Sequence, residues 1–265
     1  MTFRTTYWLA GIALAIAAPA SAQSVFDGTW KGEATSATLD VKPDEFTLKD
    51  GLYSCKSCIP PYAVKADGQF HAVKDRPYWD EIALTVVDPN VVRMQFRKNG
   101  KIVAENVETV SADGNTITFK GRNTNNGAGT VVEQSSSATR VGASIPGAHR
   151  ISGAWKPDPK TNQVSDNAMT MMVKVHDGMV HMTTGLGETL NAKIGGDYAL
   201  TEKDPGKTMS KVEMPAPNVM KITDMRQGKV VQVSTYTVTP DGRTLDGAWM
   251  DPRDGSKGTF VARKQ

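Results

Sequence analysis

Two stretches of this chain carry one pattern, and that self-similarity limits the fold more than any other feature. Phe26-Asp27-Gly28-Thr29-Trp30 is matched by Ile151-Ser152-Gly153-Ala154-Trp155, and Asp50-Gly51-Leu52 by Asp177-Gly178-Met179. Pro89-Asn90-Val91 through Gly100-Lys101-Ile102-Val103 runs in step with Pro217-Asn218-Val219 through Gly228-Lys229-Val230-Val231. The offset is 125 residues between Phe26 and Ile151 and 128 between Val110 and Val238, so loop insertions are few and short. Such a period means two copies of one domain, each about 120 residues and large enough for its own core. The predicted organisation is a leader over 1–22, a first copy over 23–141, a linker over 142–150 and a second copy over 151–265.

Within each copy the apolar residues alternate. Ile82, Leu84 and Val86 share one face, and Val92, Met94 and Phe96 alternate with Arg93, Gln95 and Arg97. Period two is the signature of half-buried strands. Asp-Gly or Asn-Gly pairs punctuate these runs at 50–51, 67–68, 99–100, 113–114, 177–178, 241–242 and 254–255, supplying the positive φ angles of tight hairpins. No mature segment sustains an apolar stripe at period 3.6. The predicted fold is all-β, with two tandem antiparallel up-and-down barrels and little helix.

The first 22 residues carry Arg4, an apolar run from Tyr7 to about Ala18, and Pro19-Ala20-Ser21-Ala22. This is the pattern of a secretory signal peptide, with cleavage expected after Ala22 and a periplasmic or secreted destination. The run is shorter than the roughly 20 residues of a spanning helix, and none is predicted elsewhere. Lys plus Arg exceeds Asp plus Glu by 31 − 28 = 3 with no basic block, so nucleic acid is not an expected partner.

Each copy begins with Gly-x-Trp and ends with an Arg: Gly28 and Trp30 with Arg140, Gly153 and Trp155 with Arg263. This resembles the calycin superfamily of lipocalins and fatty-acid-binding proteins, and Phe26 to Lys31 is especially similar to the opening of the latter. The whole mature chain also resembles a group of exported proteobacterial proteins with this tandem layout. The calycin resemblance implies that Trp30 and Trp155 close one end of each barrel, with a late Arg packed over each ring, a contact worth about 0.5–2 kcal/mol. It further implies a small apolar or amphipathic ligand inside.

Cys55 and Cys58 are the only cysteines. A disulfide is the first reading for an oxidising compartment, provided that the segment bends; a redox pair, or a zinc site completed by His71 and Asp75, are the others. The densest polar and aromatic stretch, His71 to Asp80, belongs to the first copy alone. Tyr78, Trp79, Asp80 and His71 are candidates to contact a ligand at a barrel mouth. In an enzymatic reading Tyr78 or Asp80 is the general acid or base, assisted by His71. In the plainest reading the aromatic residues cover the barrel end. Ten of the twelve Met residues fall in the second copy. Met169, Met171, Val173 and Val175 fall at alternate positions as an inward face does, with Met172 and His176 opposite, so Met169 and Met171 are candidate pocket residues, while a Met/His surface for Cu(I) is the alternative.

No Gly-x-Ser-x-Gly, His-Glu-x-x-His, P-loop or dinucleotide fingerprint occurs. No cofactor or metal is therefore expected. Three functions stay open: a binding protein for a small hydrophobic or amphipathic molecule, an isomerase, lyase or hydrolase acting on a small aromatic compound, and a protein-binding inhibitor of a secreted protease.

Overall fold

A computed structural model describes residues 23–265. The leader expected over 1–22 lies outside the described residues. The described residues are all-β, with two antiparallel barrels and, among them, only two 3-10 turns, Ala34–Ser36 and Asp166–Met169. Among the described residues no helix is long and apolar enough to cross a membrane.

The wall of the first barrel runs Tyr62–Lys65, Leu52–Cys55, Asp44–Lys49, Gly153–Val164, Val132–Val141, Thr116–Asn123, Lys101–Val110, Val91–Lys98, Glu81–Asp88 and Phe70–Ala72. It stays open between its two edge strands. The second barrel runs Gly28–Gly32, Thr170–His176, Met179–Thr184, Thr189–Lys193, Ala199–Glu202, Met209–Ala216, Val219–Arg226, Lys229–Val238, Thr244–Met250 and Lys257–Lys264. Its last strand pairs back onto Gly28–Gly32, and the ring closes. Hairpins follow the turn chemistry: Asp50 and Gly51, Asn99 and Gly100, and Asp177 and Gly178 all have positive φ at both positions.

Each barrel takes its Gly-x-Trp strand from the other half of the chain. Gly28–Gly32 lies between Thr170–His176 and Lys257–Lys264, with Trp30 opposite Met171 and Lys264. Gly153–Val164 lies between Asp44–Lys49 and Val132–Val141, with Trp155 opposite Asp44 and Arg140. Phe26 and Trp30 are fully buried in the second barrel's core, Ile151 and Trp155 in the first's. Both indoles donate Nε1–H to the carbonyl four residues back, Trp30 to Phe26 at 2.8 Å and Trp155 to Ile151 at 2.7 Å.

The cations over these rings differ from the expected pairs of Trp30 with Arg140 and Trp155 with Arg263. Arg140 stands 4.1 Å over the Trp155 ring, and Lys264 stands 5.1 Å over Trp30. Arg263 points outward, to Glu33 at 2.9 Å. Strand exchange carries each Trp to the opposite barrel. Alternation then turns Phe260, Ala262 and Lys264 inward and Arg263 out. The motif's glycine has a cause here: Gly28 and Gly153 sit at φ +134° and +142°, where a Cβ would meet Lys264 Cε at 2.7 Å and Arg140 Nη1 at 2.5 Å.

Candidate functional site

The second barrel is filled at one end and hollow at the other. Its inward rows read Val212 and Ser210 on one strand, with Thr208 just before it, and Met220, Ile222, Asp224, Arg226 on the next, followed by Val238, Tyr236, Ser234. Along each row the side chains pass from apolar beside Trp30 to polar at the far end. There a cavity of about 560 Å³ opens, lined by Asp224, Ser210, Thr208, Arg226 and Tyr236 from the second barrel and Tyr78 from the first. A second cavity of about 420 Å³, bounded by Trp30, Met169, Met171, Phe260 and Ala262, adjoins it and shares Thr184, Leu186, Glu188 and Tyr236 as common walls.

The first barrel covers this mouth. The Tyr78 ring lies against Gly206, where a Cβ would come within 2.7 Å of it, and Arg226 stands 5.1 Å over its face. Asn125 Nδ2 donates to the Tyr78 carbonyl at 2.6 Å and so holds the residue over the opening. Beside it the Ala128 amide donates to the Leu186 carbonyl at 2.7 Å, and the Gly127 amide to Glu188 Oε1 at 3.2 Å.

The polar groups of the cavity form one hydrogen-bonded set. Ser210 donates its hydroxyl to Asp224 Oδ1 at 2.6 Å and lies 3.2 Å from the Thr201 hydroxyl. Arg226 Nε donates to Thr208 Oγ1 at 2.8 Å, and that hydroxyl donates to Asp204. Burial pushes the Asp224 carboxyl above the ordinary carboxylate range, against the opposing pull of Ser210 and Arg226. Asp204 is also partly desolvated, yet bonds from Thr208 and Gly206 and the nearby Arg226 charge hold it low. Burial raises the Tyr78 and Tyr236 phenols, so both stay protonated donors at neutral pH.

The side chains of the His71 to Asp80 stretch part company. Tyr78 alone among them lines the cavity. His71 Nε2 pairs with Asp67 at 2.8 Å, and Asp80 accepts from the Asn99 amide at 3.1 Å with Lys98 at 3.8 Å. Trp79 packs edge-on against Tyr62 and Phe96, with ring centroids 5.6 and 5.1 Å away. Arg76 stands over both Tyr62 and Trp79, at 4.8 and 5.5 Å, and donates to the Ile59 and Pro60 carbonyls. That group packs beside the open seam of the first barrel. His71, Tyr78 and Asp80 thus engage three separate sets of partners.

Cys55 and Cys58 form a disulfide, with their Cα atoms 5.5 Å apart, so the segment bends as a bridge of this spacing requires. A bridged pair offers no thiolate for the zinc alternative. Met169 and Met171 border the apolar cavity. Met172 points the other way and is 56% exposed, near the stacked His176 and His181 rings on the outer wall. Inward thioethers and outward imidazoles therefore lie on opposite sides of one sheet.

Asp224, Arg226, Ser210, Thr208 and Tyr236 were not among the sequence candidates. Their signal was parity: reading Met220-x-Ile222-x-Asp224-x-Arg226 as one inward row exposes a charged end on an otherwise apolar face. No protein-family model and no curated protein matches the chain.

Proposed function

We propose that the protein is an exported, calycin-like binding protein that holds one small amphipathic molecule in the hollow end of its second barrel. The observation that carries this reading is the uneven filling of that barrel. Twelve buried residues, Phe26, Trp30 and Met220 among them, pack part of its interior, while two adjoining cavities extend beyond them. One cavity is bordered by Trp, Met and Phe and the other by carboxylate, guanidinium and hydroxyl groups, matching a ligand with an apolar body and a polar head. The doubled Gly-x-Trp under a cation supports the calycin assignment. The leader pattern over 1–22, together with the Cys55–Cys58 bridge, supports export into an oxidising compartment.

The first barrel is the less suitable container. Phe46, Leu48, Tyr53, Leu84, Phe96 and Trp155 fill its interior.

The test is titration of the neutral fluorophore N-phenyl-1-naphthylamine into the mature protein. Saturable one-to-one enhancement, lost on unfolding, is the expected result. Absence of enhancement at micromolar protein, with native mass spectrometry of protein from its own host also showing no retained mass, overturns the reading.

A further inference from the structure

Resting on that reading, the geometry points to an amine-bearing amphipath as the ligand class: a cationic nitrogen at Asp224, and an apolar body between Met171, Phe260 and Tyr236. The charges bordering the larger cavity are three carboxylates, Glu188, Asp204 and Asp224, against the single cation Arg226. Two of those carboxylates are committed to the protein. Asp204 accepts from the Gly206 and Thr208 amides at 3.0 and 2.9 Å and from the Thr208 hydroxyl. Glu188 accepts from the Gly127 amide and the Thr184 hydroxyl. Asp224 is different: it receives one hydrogen bond, from Ser210 to Oδ1, and Oδ2 carries none. Among the described residues the ion pairs include neither Asp224 nor Arg226.

Arg226 does not neutralise this site. Its Nε is spent on Thr208, its Cζ stands 5.1 Å from the Tyr78 ring centre, and its field is shared by Asp204, Asp224 and Asp251. An anionic head would meet an excess of negative charge, and one already engaged guanidinium. A cationic head would meet a carboxylate whose free oxygen faces open space, at the end of a cavity bounded by the Tyr78 and Tyr236 rings. Aromatic faces attract cations, and a charge-assisted bond to a partly buried carboxylate is the strong kind. Asp224 therefore bears a desolvation cost in the empty barrel that a bound ammonium offsets.

The experiment uses three probes of one chain length, octylamine, octan-1-ol and octanoate, titrated by calorimetry into the mature protein at pH 7. The expected order is octylamine tightest, by roughly tenfold or more over octanol, with octanoate weakest. Asp224→Asn should remove the preference for octylamine over octanol, with an unchanged urea unfolding midpoint reporting that the barrel is intact. Arg226→Gln should tighten octylamine, a gain that a misfolded variant cannot give. If octanol binds but octanoate is preferred, or if D224N keeps the amine preference, the barrel still binds and the amine class is refuted. If none of the three binds, the binding reading falls as well.

Discussion

Glu108 offers the sharpest test of the first barrel's interior. Its side chain sits on the inward row of Lys101–Val110, is 6% exposed, and lies opposite Val92 and Phe119 on the flanking strands. Oε2 has no hydrogen-bond partner. Burial, reinforced by the nearby Asp44 carboxyl, pushes its pKa from 4.5 up to about 8. The acid is therefore neutral in the folded protein at pH 7 and ionised in the unfolded chain. The sign of the linkage follows. Below pH 4.5 both states hold the proton and nothing is lost, whereas between 4.5 and 8 only the unfolded chain releases it, at about 1.4 kcal/mol per pH unit. Folding stability should fall by about 3 kcal/mol between pH 4.5 and 7 and by about 4 kcal/mol by pH 8, then level off near about 5 kcal/mol as the folded state ionises too. Glu108→Gln preserves the shape and removes the titration. Asp44 is raised by burial as well, so the quantity to read is the difference between wild type and E108Q, which cancels the groups they share. Urea unfolding followed by tryptophan fluorescence at pH 5, 6, 7, 8 and 9 gives that difference. The two proteins should be of nearly equal stability at pH 5 and diverge steadily to pH 8 in favour of the variant. Parallel curves would refute the reasoning, because they would mean that Glu108 titrates alike in both states.

Three further substitutions test the buried tryptophans of both barrels and the covered mouth of the second. Trp30→Ala and Trp155→Ala should each cost about 3–5 kcal/mol in denaturant unfolding, since both rings are fully buried. Of the two, only W30A should also weaken N-phenyl-1-naphthylamine binding, because Trp30 borders the apolar cavity; equal effects on the probe would argue against that location. Gly206→Ala places a Cβ 2.7 Å from the Tyr78 ring. It should cost about 1–3 kcal/mol by overpacking and speed release of the same probe in stopped-flow dilution, and an unchanged off-rate would show that Tyr78 does not cover the mouth.

Alternation and turn chemistry made the barrels legible in the sequence. Which copy supplies each first strand was not legible. Parity identifies Trp30 and Trp155 as inward, but it carries no term for the partner across the hydrogen bonds, and both glycine-tryptophan strands suit either barrel because their sequences are alike. The misassigned cation has a simpler cause. Phe260, Ala262 and Lys264 form an inward row visible in the sequence, and a resemblance that favours Arg drew attention to Arg263 one position away. In the His71 to Asp80 stretch, proximity along the chain did not become proximity in space. The connection between Phe70–Ala72 and Glu81–Asp88 bends repeatedly, and in it Tyr78 reaches the second barrel while Trp79 packs into the first.

Strand exchange and the covered mouth together explain why the two halves diverge where they do. The cavities draw their walls from both halves of the chain, Asn125 and Gln134 as well as Met182, Leu190 and Asp224, with Trp30 bordering the apolar cavity and Tyr78 the polar one. A half-chain would therefore lack one end of the container as well as the strand that closes it. The reverse does not hold for the first barrel, which borrows Gly153–Val164 but is packed with aromatic side chains and has no comparable hollow around its Trp. One copy is thus free to lose its interior space provided that it keeps the borrowed strand and the covering loops. Tyr78 serves as that cover: its ring projects from the first barrel to the opening of the second. By the same logic the polar row ending in Asp224 and Arg226 belongs to the copy whose interior stays open, where a charged side chain meets a cavity and not a packed neighbour.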